Sequence, residues 1–562
     1  MEGGDFVMTQ TFETRIVHSL VKVFPDEELQ GAGPAKGSAL LNEVFSYQVA
    51  YRAQQLTPVV KVKIESELEE WMTVRSIGLV PSELPNHYNH DENVLRTAPG
   101  LYPDPLLPLT DDAVRGFPGQ WRSLWITVNP QNQVKPGLYP IVVRFETESG
   151  EKLAEERYEL EIIGAQLPQQ QLLHTEWFHT DCIATQYQME VFSERHWELL
   201  EQYIQTAADH GVNMLLTPIF TPPLDTEIGG ERPTVQLVDV EVTGQDEYSF
   251  GFDRLKRWVD LCHKCGIEYF EFSHLFTQWG AKHAPKIVAK VDGGLQRIFG
   301  WETDASGEAY HAFLTQFLPQ LVAWIRENGI EDRSYFHISD EPTLEHLESY
   351  ASAQRMVKDL LAGFPVIDAL SDYDFYEKGL VQTPIPANNH IEPFLENGVT
   401  PLWTYYCTSQ FQKVSNRFFC MPSARNRILG YQLYKYDAAG FLHWGYNFWY
   451  TQYSKRAIDP FRVTDAGGAF PSGDPFLVYP GDQGPIESIR MEVLREALQD
   501  LRALRLLEEW IGRDAVLAAL DDGLDEAITF SSYPKDADWL LSKRDWINGK
   551  IKEHVGKGAV SS

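Results

Sequence analysis

Residues 335–342 have the sequence Tyr-Phe-His-Ile-Ser-Asp-Glu-Pro, an apolar run that ends in two adjacent carboxylates, Asp340 and Glu341, and a proline. The apolar run predicts a buried strand, and Pro342 is suited to the start of a helix. In α/β barrels, functional side chains gather at the carboxyl ends of the strands. The sequence therefore predicts that Asp340 and Glu341 lie together at the carboxyl end of a barrel strand.

The alternation of strand and helix extends on both sides of this stretch. Helical spacing is clearest at 197–207 and 310–325, between apolar strand candidates at 172–180, 212–220, 267–276, 334–341, 365–371, 380–386, 401–407 and 440–448. Eight such units over about 280 residues are the expected size of a (β/α)8 TIM-type barrel. A doubly wound open sheet is the alternative, although it needs no eighth unit.

The connecting segments 221–252 and 277–308 are unusually long, and the second contains Trp279, Lys282, His283 and Trp301. Loops that follow barrel strands cover the mouth of the barrel, where active sites are built. We therefore expect both segments to contribute to the mouth.

The chain before the barrel alternates with a period of two, as where Val60 and Val62 are interleaved with Lys61 and Lys63. This pattern, broken by Gly and Pro turns, predicts an antiparallel sandwich. Amphipathic helices follow the barrel. We predict a multidomain β and α/β protein with an N-terminal β-sandwich domain at 1–165, a (β/α)8 barrel at 171–450, and a C-terminal helical extension packing on the barrel at 451–562.

The composition excludes several classes of partner. The chain has 48 Lys and Arg against 80 Asp and Glu, a net charge of −32. This charge repels polyanions, so we expect no nucleic acid and no membrane as partner.

The first ten residues have no signal-peptide pattern, no stretch approaches 18 apolar residues, and the five cysteines are too sparse for a disulfide framework. We expect a cytoplasmic location.

Asp340 and Glu341 are the candidate catalytic residues. Two carboxylates this close cannot both ionise freely, so the pair can supply one proton donor and one anion, as glycoside hydrolysis requires. The alternative is that the two acids only begin the next helix, where the dipole favours negative charge.

Polar and aromatic side chains at the other strand ends are the candidate substrate-binding residues. Sugars present C–H faces to aromatic rings and hydroxyl groups to polar side chains, so such a mixture favours a neutral polyhydroxylated ligand. The candidates are Trp177, His179, His274, Asp372, Tyr405, Trp444 and Asn447.

Motifs for other chemistries are weak. Cys262-His-Lys-Cys265 has metal-like spacing, but it lies late in an amphipathic helix without a second ligand pair. The sequence has no nucleophile elbow, Rossmann glycine pattern or Walker loop. We predict no metal site and no cofactor.

Several stretches together resemble glycoside hydrolase family 123, the β-N-acetylgalactosaminidases and related bacterial domains. They are the 337–342 segment, Gly137-Leu-Tyr-Pro140, Gln278-Trp-Gly-Ala-Lys-His-Ala-Pro285, Phe299-Gly-Trp301, and Leu477-Val-Tyr-Pro-Gly481 with Ser488-Ile-Arg490. The resemblance implies a retaining glycosidase that cleaves β-linked N-acetylgalactosamine in an oligosaccharide or glycoconjugate. It also implies substrate-assisted catalysis, in which the sugar's 2-acetamido oxygen attacks C1 and forms an oxazolinium ion.

On this resemblance, Asp340 would orient the acetamido N–H and stabilise positive charge, while Glu341 would protonate the leaving oxygen and later activate water. A tyrosine that donates to the acetamido carbonyl and a tryptophan under the sugar are also implied. Tyr405 and Trp444 are the candidates by their strand-end position. Consecutive strand residues point to opposite sides, so both acids can face one sugar only if the strand ends or kinks there.

Two alternatives remain open at this stage. One is a carbohydrate-binding barrel protein without turnover. The other is a glycosidase of different specificity that uses an enzyme carboxylate as nucleophile, with Glu271 or Asp372 as candidates. The sequence gives no signal for an oligomeric state.

Overall fold

The computed structural model describes the backbone of residues 12–560 and the side chains of residues 12–556. The first ten residues, on which the expected location partly rests, lie outside the described residues.

The first part of the chain forms ten strands in two five-stranded sheets. The strands are β1 (Phe12–His18), β2 (Lys36–Leu40), β3 (Phe45–Ala53), β4 (Thr57–Glu65), β5 (Met72–Ser82), β6 (Gly100–Pro108), β7 (Ala113–Gly116), β8 (Trp121–Val128), β9 (Gly137–Glu146) and β10 (Lys152–Ile163). One sheet has the order β1-β3-β8-β5-β6 and the other β2-β10-β9-β4-β7. Neighbouring strands are antiparallel, except that β2 and β10 run parallel.

The two sheets share one apolar core. The rings of Tyr47 in β3 and Tyr158 in β10 stack across it with centroids 4.0 Å apart. Leu124 and Ile126 of β8 face this core, whereas Trp125 packs into the larger core formed by the rest of the chain. Because β8 is covered on both faces, the first sheet joins the two cores of the molecule.

The middle of the chain alternates strands and helices. Its strands are β11 (Leu173–Glu176), β12 (Met214–Thr217), β13 (Asp239–Gly244), β14 (Glu247–Gly251), β15 (Tyr269–Phe272), β16 (Ile287–Val291), β17 (Gly294–Phe299), β18 (Ser334–Phe336), β19 (Ile367–Ala369), β20 (Thr383–Ile385), β21 (Trp403–Tyr405) and β22 (Gly440–His443). All eight strand candidates from the sequence are present but shorter, and the stretch at 334–341 is a strand only as far as Phe336.

These eight strands are parallel to their neighbours. Six form a curled sheet in the order β18-β15-β12-β11-β22-β21, and β19 pairs with β20. Single parallel bridges, Phe336 to Val366 and Ala387 to Tyr405, link the two sheets. The predicted multidomain β and α/β organisation is confirmed.

The two long connecting segments together build a separate four-stranded sheet in the order β14-β13-β16-β17. Their first residues, before β13 and before β16, stay irregular. These irregular parts reach the functional site described below.

Helices cover the parallel strands and form the C-terminal part. They are α1 (Thr180–Gln186), α2 (Glu194–Asp209), α3 (Asp253–Lys264), α4 (Glu308–Glu327), α5 (Leu347–Val357), α6 (Asp374–Glu377), α7 (Glu392–Glu396), α8 (Ser423–Arg427), α9 (Leu429–Lys435), α10 (Ile489–Ile511), α11 (Arg513–Asp521) and α12 (Ala537–Val560). A short hairpin of β23 (Tyr479–Gly481) and β24 (Gly484–Ile486) precedes α10. Within residues 12–560 no helix has the length and apolar character needed to cross a lipid bilayer.

A buried ion pair holds the first part of the chain against α10. Asp104 of β6 accepts hydrogen bonds from Arg490 Nε at 2.8 Å and Nη2 at 2.9 Å, and from the Tyr479 hydroxyl. All three residues are at most 2% exposed. Removing one member would leave a buried charge without its partner, which is far more costly than losing an exposed pair.

We predict that Asp104→Ala lowers the free energy of unfolding by about 3–5 kcal/mol, because Arg490 stays buried and unpaired. Asp26→Ala is the matched control, since Asp26 pairs with Arg96 at the surface and such pairs contribute about 0–1 kcal/mol. Denaturant unfolding of both variants measures the difference. Equal, small losses in the two variants would show that the junction does not depend on this pair.

Candidate active site

The backbone leaves the extended conformation between β18 and the next helical turn. The Trp279 N–H donates to the Asp340 carbonyl at 2.9 Å, and the Glu341 N–H donates to the Ala369 carbonyl at 3.0 Å. Glu341 has a φ of 42°, in the left-handed region. The strand thus ends and turns at the carboxylate pair, so that both side chains line the same cavity.

The acids do not start the following helix. Thr343 caps the helical turn at 344–346, with its side chain and that of His346 in a capping box. Pro342 precedes this cap, so it does not occupy the first helical position predicted from the sequence. The structure therefore disagrees with the alternative that Asp340 and Glu341 serve only the helix dipole.

The cavity lies at the carboxyl ends of the parallel strands and has a volume of about 110 Å³. It draws residues from five strand ends and from both long connecting segments. Its lining consists of Trp177, Leu224, Asp225, Gln278, Trp279, Asp340, Glu341, Ala369, Tyr405, Cys407, Thr408, Leu442, Trp444 and Phe470. This described lining contains carboxylates, amide and hydroxyl groups and aromatic rings, but no Lys, Arg or His.

The environment of the pair favours the protonated form of a carboxyl group. Burial and the neighbouring charge of Glu341 raise the pKa of Asp340 well above its ordinary range, against the opposing charge of His337. Burial also raises the pKa of Glu341, although the Tyr405 hydroxyl, which donates to Glu341 Oε1 at 2.7 Å, opposes this. Among the described residues none donates a hydrogen bond to the Asp340 carboxylate. Both shifts therefore favour a proton on the pair.

Hydrogen bonds fix the aromatic walls. The Trp177 indole N–H donates to Glu271 Oε1 at 2.7 Å, and that of Trp444 donates to Asp474 Oδ2 at 3.0 Å. Trp279 is 38% exposed at the cavity mouth, and its ring meets that of Tyr453 edge-on at 6.0 Å. Two walls are thus rigid, and a third indole is open to solvent.

A buried polar layer lies beneath the cavity. His337 Nε2 lies 2.5 Å from Glu271 Oε1, and its Nδ1 lies 3.1 Å from Asp368 Oδ1. Burial lowers the pKa of His337, but Glu271 and Asp368 outweigh burial and raise this pKa to about 9. Tyr350 donates to Asp368, and Thr175 donates to Glu271. The two acids therefore favour the protonated form of His337, while burial raises the pKa of Asp368.

His274, which the sequence predicted to bind substrate, belongs to this layer and not to the cavity lining. Its ring stacks on that of His337 with centroids 4.2 Å apart and an angle of 18°, and neither of its nitrogens has a hydrogen-bond partner. These two histidines and Asp368 have ligand atoms within 4.8 Å of one another. However, parallel rings direct their nitrogen lone pairs along parallel planes, and both nitrogens of His337 face carboxylates. The three residues do not fit a metal ion.

Three other predicted substrate-binding residues also lie outside the lining. His179 Nδ1 accepts from Arg232 at 3.0 Å, and its Nε2 donates to the Trp444 carbonyl at 2.8 Å. Asn447 exchanges hydrogen bonds with the backbone of His179. Asp372 accepts from the Leu344 N–H at the helical turn. All three hold elements in place around the cavity.

The structure therefore brings together five of the predicted site residues, Trp177, Asp340, Glu341, Tyr405 and Trp444. The sequence analysis did not assign site roles to Asp225, Gln278, Trp279, Thr408 or Phe470. The unusual length of the segments 221–252 and 277–308 was the signal for the first three of these. Thr408 and Phe470 carry no comparable signal.

A larger crevice of about 930 Å³ lies at the opposite, amino ends of the strands. Several of its charged side chains are paired: Arg505 contacts Asp437, and Arg513 contacts Glu508 at 3.3 Å. Its two consecutive acids, Glu508 and Glu509, lie on α10, and Glu508 is neutralised by Arg505 and Arg513. The smaller cavity is therefore the candidate active site.

Two adjacent buried acids, a phenol and indole walls at the carboxyl ends of parallel strands are typical of a carbohydrate-cleaving hydrolase. Residues 177–507, more than half of the chain, match the family model described as "Glycoside hydrolase 123, catalytic domain". The chain belongs to glycoside hydrolase family 123, and the resemblance noted in the sequence is confirmed.

One solved structure agrees with this chain at the level of the fold. A family 123 glycoside hydrolase from Clostridium perfringens superposes with a TM-score of 0.76 at 14% identity, covering 98% of this chain and 100% of that one. An endo-β-1,4-mannanase from Thermotoga petrophila matches at 13% identity over 60% of this chain and 78% of its own, but its TM-score of 0.34 is too low to support an argument. No curated protein sequence matches significantly.

We predict that Asp340→Asn raises the melting temperature at pH 7. The pKa of Asp340 is raised in the folded state. As the pH rises, the unfolded chain therefore loses this proton at a lower pH than the folded protein does, near the ordinary Asp pKa of about 3.9. Above that pH the folded state loses stability relative to the unfolded chain. The amide removes this cost, so the gain should vanish below about pH 4.

Calorimetry at pH 4 and pH 7 measures the effect, with Asp372→Asn as a control carboxylate outside the cavity. A melting temperature that falls at pH 7, or a difference independent of pH, would contradict the raised pKa.

Proposed function

We propose that this chain is a retaining glycosidase that cleaves β-linked N-acetylgalactosamine by substrate-assisted catalysis, with Asp340 and Glu341 as its catalytic residues. The observation that carries the proposal is the turn at Glu341, which brings two consecutive carboxylates onto one cavity. Neither acid has a cationic partner in the lining, so both are free to act on a ligand.

In the first step Glu341 protonates the glycosidic oxygen while the bond from C1 to that oxygen breaks. The acetamido oxygen attacks C1 and closes the oxazolinium ring, whose positive charge is stabilised by ionised Asp340. In the second step Glu341 accepts a proton from water, the water oxygen attacks C1, and the ring reopens. Two inversions at C1 give net retention.

Substrate binding would favour the protonation states that the reaction needs. An acetamido N–H that donates to Asp340 favours its ionised form, because hydrogen bonds to a charged form lower the pKa of an acid. If the Tyr405 hydroxyl turns from Glu341 to the acetamido carbonyl, Glu341 loses the hydrogen bond that stabilises its anion. Both changes move the proton to Glu341, where the reaction needs it.

The shape and chemistry of the cavity support a sugar as ligand. Trp177 and Trp444 line the cavity, and indole rings stack on the C–H groups of sugars. The Clostridium perfringens protein was analysed for glycolipid glycan hydrolysis, which supports a glycoconjugate as substrate class.

The strand order and the two linking bridges support the (β/α)8 barrel, and the shared core of the two N-terminal sheets supports the sandwich. The cytoplasmic location stays a prediction.

Two alternatives from the sequence are weaker in this geometry. Glu271 is fully buried and accepts hydrogen bonds from Thr175, Trp177 and His337, so it has no free oxygen for attack on a sugar. Asp372 lies outside the lining. A binding protein without turnover would not need an acid with a raised pKa beside its ligand.

We predict that Glu341→Gln lowers turnover of a natural β-GalNAc disaccharide by roughly 10²–10⁴-fold, the usual effect of a positioned acid. A disaccharide is the better substrate because its poor leaving group requires protonation. Glu345→Gln, on the exposed turn that follows, is the matched control and should keep full activity.

Product release measured by chromatography gives both rates. Unchanged turnover in Glu341→Gln would remove this residue from the mechanism. Hydrolysis of the plain galactoside at the same rate as the 2-acetamido sugar would instead favour an enzyme nucleophile.

A further inference from the structure

A third carboxylate, Asp225, lines the cavity beside the catalytic pair. It lies on the irregular segment between β12 and β13 and is half-buried. The only hydrogen bond to its side chain from the described residues comes from the Tyr453 N–H, which donates to Oδ2 at 2.9 Å. Asp225 takes part in no ion pair of the described chain, since nearby Arg232 pairs with Asp181. One carboxylate oxygen therefore remains available to a ligand.

Two other segments of the chain fix the backbone of Asp225. Its N–H donates to Gln278 Oε1 at 2.6 Å, and its carbonyl accepts from the Ser454 hydroxyl at 2.7 Å. Its φ is 37°, and Tyr453 and Ser454 also have positive φ values of 61° and 54°. Residues held in this region each cost about 1–3 kcal/mol and cluster at functional sites. The surroundings thus hold Asp225 in a costly conformation that directs it toward the cavity.

The charge of the cavity limits what Asp225 can bind. The described lining has three carboxylates and no cationic side chain. A sulfate or carboxylate on the bound sugar would meet acidic side chains and no cation in a half-buried site, and this is unfavourable. Sugar hydroxyl groups, by contrast, donate to a carboxylate in charge-assisted hydrogen bonds.

We propose that Asp225 is a specificity-determining residue that accepts a hydrogen bond from one ring or exocyclic hydroxyl of a neutral 2-acetamido sugar in the cavity. This inference rests on the proposed function and names a contact that the catalytic pair does not make. Asp225 holds the sugar in place. It takes no proton from the sugar and forms no bond to C1.

The test is Asp225→Asn, assayed on an aryl 2-acetamido-galactoside and on its 3-, 4- and 6-deoxy analogues. Asn tolerates positive φ and its side-chain oxygen can still accept from the Tyr453 N–H, so the variant should fold. Loss of a hydrogen bond to a charged group should lower kcat/KM for the parent sugar roughly 10- to 100-fold. One deoxy analogue, lacking the hydroxyl that Asp225 binds, should react equally with both proteins.

Glu227→Gln is the matched control. Glu227 pairs with Lys455 at 2.9 Å and connects the same two segments as Asp225, but its side chain is exposed and outside the lining. The Glu227→Gln variant should have the same kcat/KM as the unmodified protein on every substrate. Equal kcat/KM for Asp225→Asn and unmodified protein on all four sugars would overturn the proposal. An equal loss on all four would also overturn it, since that is the result of a catalytic or purely structural role.

The same variants separate this inference from the proposed function. If the unmodified protein cleaves none of these glycosides, the proposed function fails, and calorimetric titration with N-acetylgalactosamine and its deoxy analogues decides the role of Asp225. Affinity for the parent sugar that falls in Asp225→Asn, but not for one deoxy analogue, would support the contact. Equal affinities, or no binding by the unmodified protein, would overturn it.

Discussion

The site depends on one backbone constraint, the turn that separates Asp340 and Glu341 from the end of β18. In an extended strand the two side chains would point to opposite faces. Here the peptide group between the acids is held at both ends. Its C=O accepts from the Trp279 N–H, and its N–H donates to the Ala369 carbonyl. Glu341 takes a left-handed conformation. Both the strain of this turn and the repulsion between the acids destabilise the fold, so the surrounding structure must compensate.

The buried layer under the cavity provides much of that support. His337 lies three residues before Asp340 and is held by Glu271 from β15 and Asp368 from β19. Glu271 also fixes Trp177, so one hydrogen-bonded network sets both the aromatic wall and the strand that carries the acids. His337, Glu271 and Asp368 are all hydrogen-bonded in this network, whereas the His274 ring stacked on His337 has no hydrogen-bond partner. Protonated His337 also places a positive charge near Asp340, which favours the anion that the proposed reaction requires.

Local sequence patterns predicted the elements whose formation depends on residues close together in the chain. The strand candidates, the helices α2, α4 and α10, and the position of the acid pair all follow from periodicity and from the order of apolar and polar residues. The ends of the strands did not follow. Residues 337–341 continue from β18 but pair with a loop, where the Leu275 and Phe276 N–H groups donate to the carbonyls of His337 and Ile338. Nor did the position of His179 outside the cavity lining follow. Its ring accepts a hydrogen bond from Arg232, 53 residues further along the chain. Asp225 and Trp279 are brought to the cavity by long irregular segments, and no local pattern marks where such a segment turns inward.

The central claim is that the substrate's own amide attacks C1 between these two acids. Aryl glycosides with acetamido, fluoroacetamido, difluoroacetamido and trifluoroacetamido groups at C2 test it directly, because each fluorine withdraws electrons from the attacking oxygen. Steady-state kinetics should show kcat/KM falling steeply and progressively along the series. A rate that stays level across the four sugars would contradict the account and assign the attack on C1 to a group of the protein.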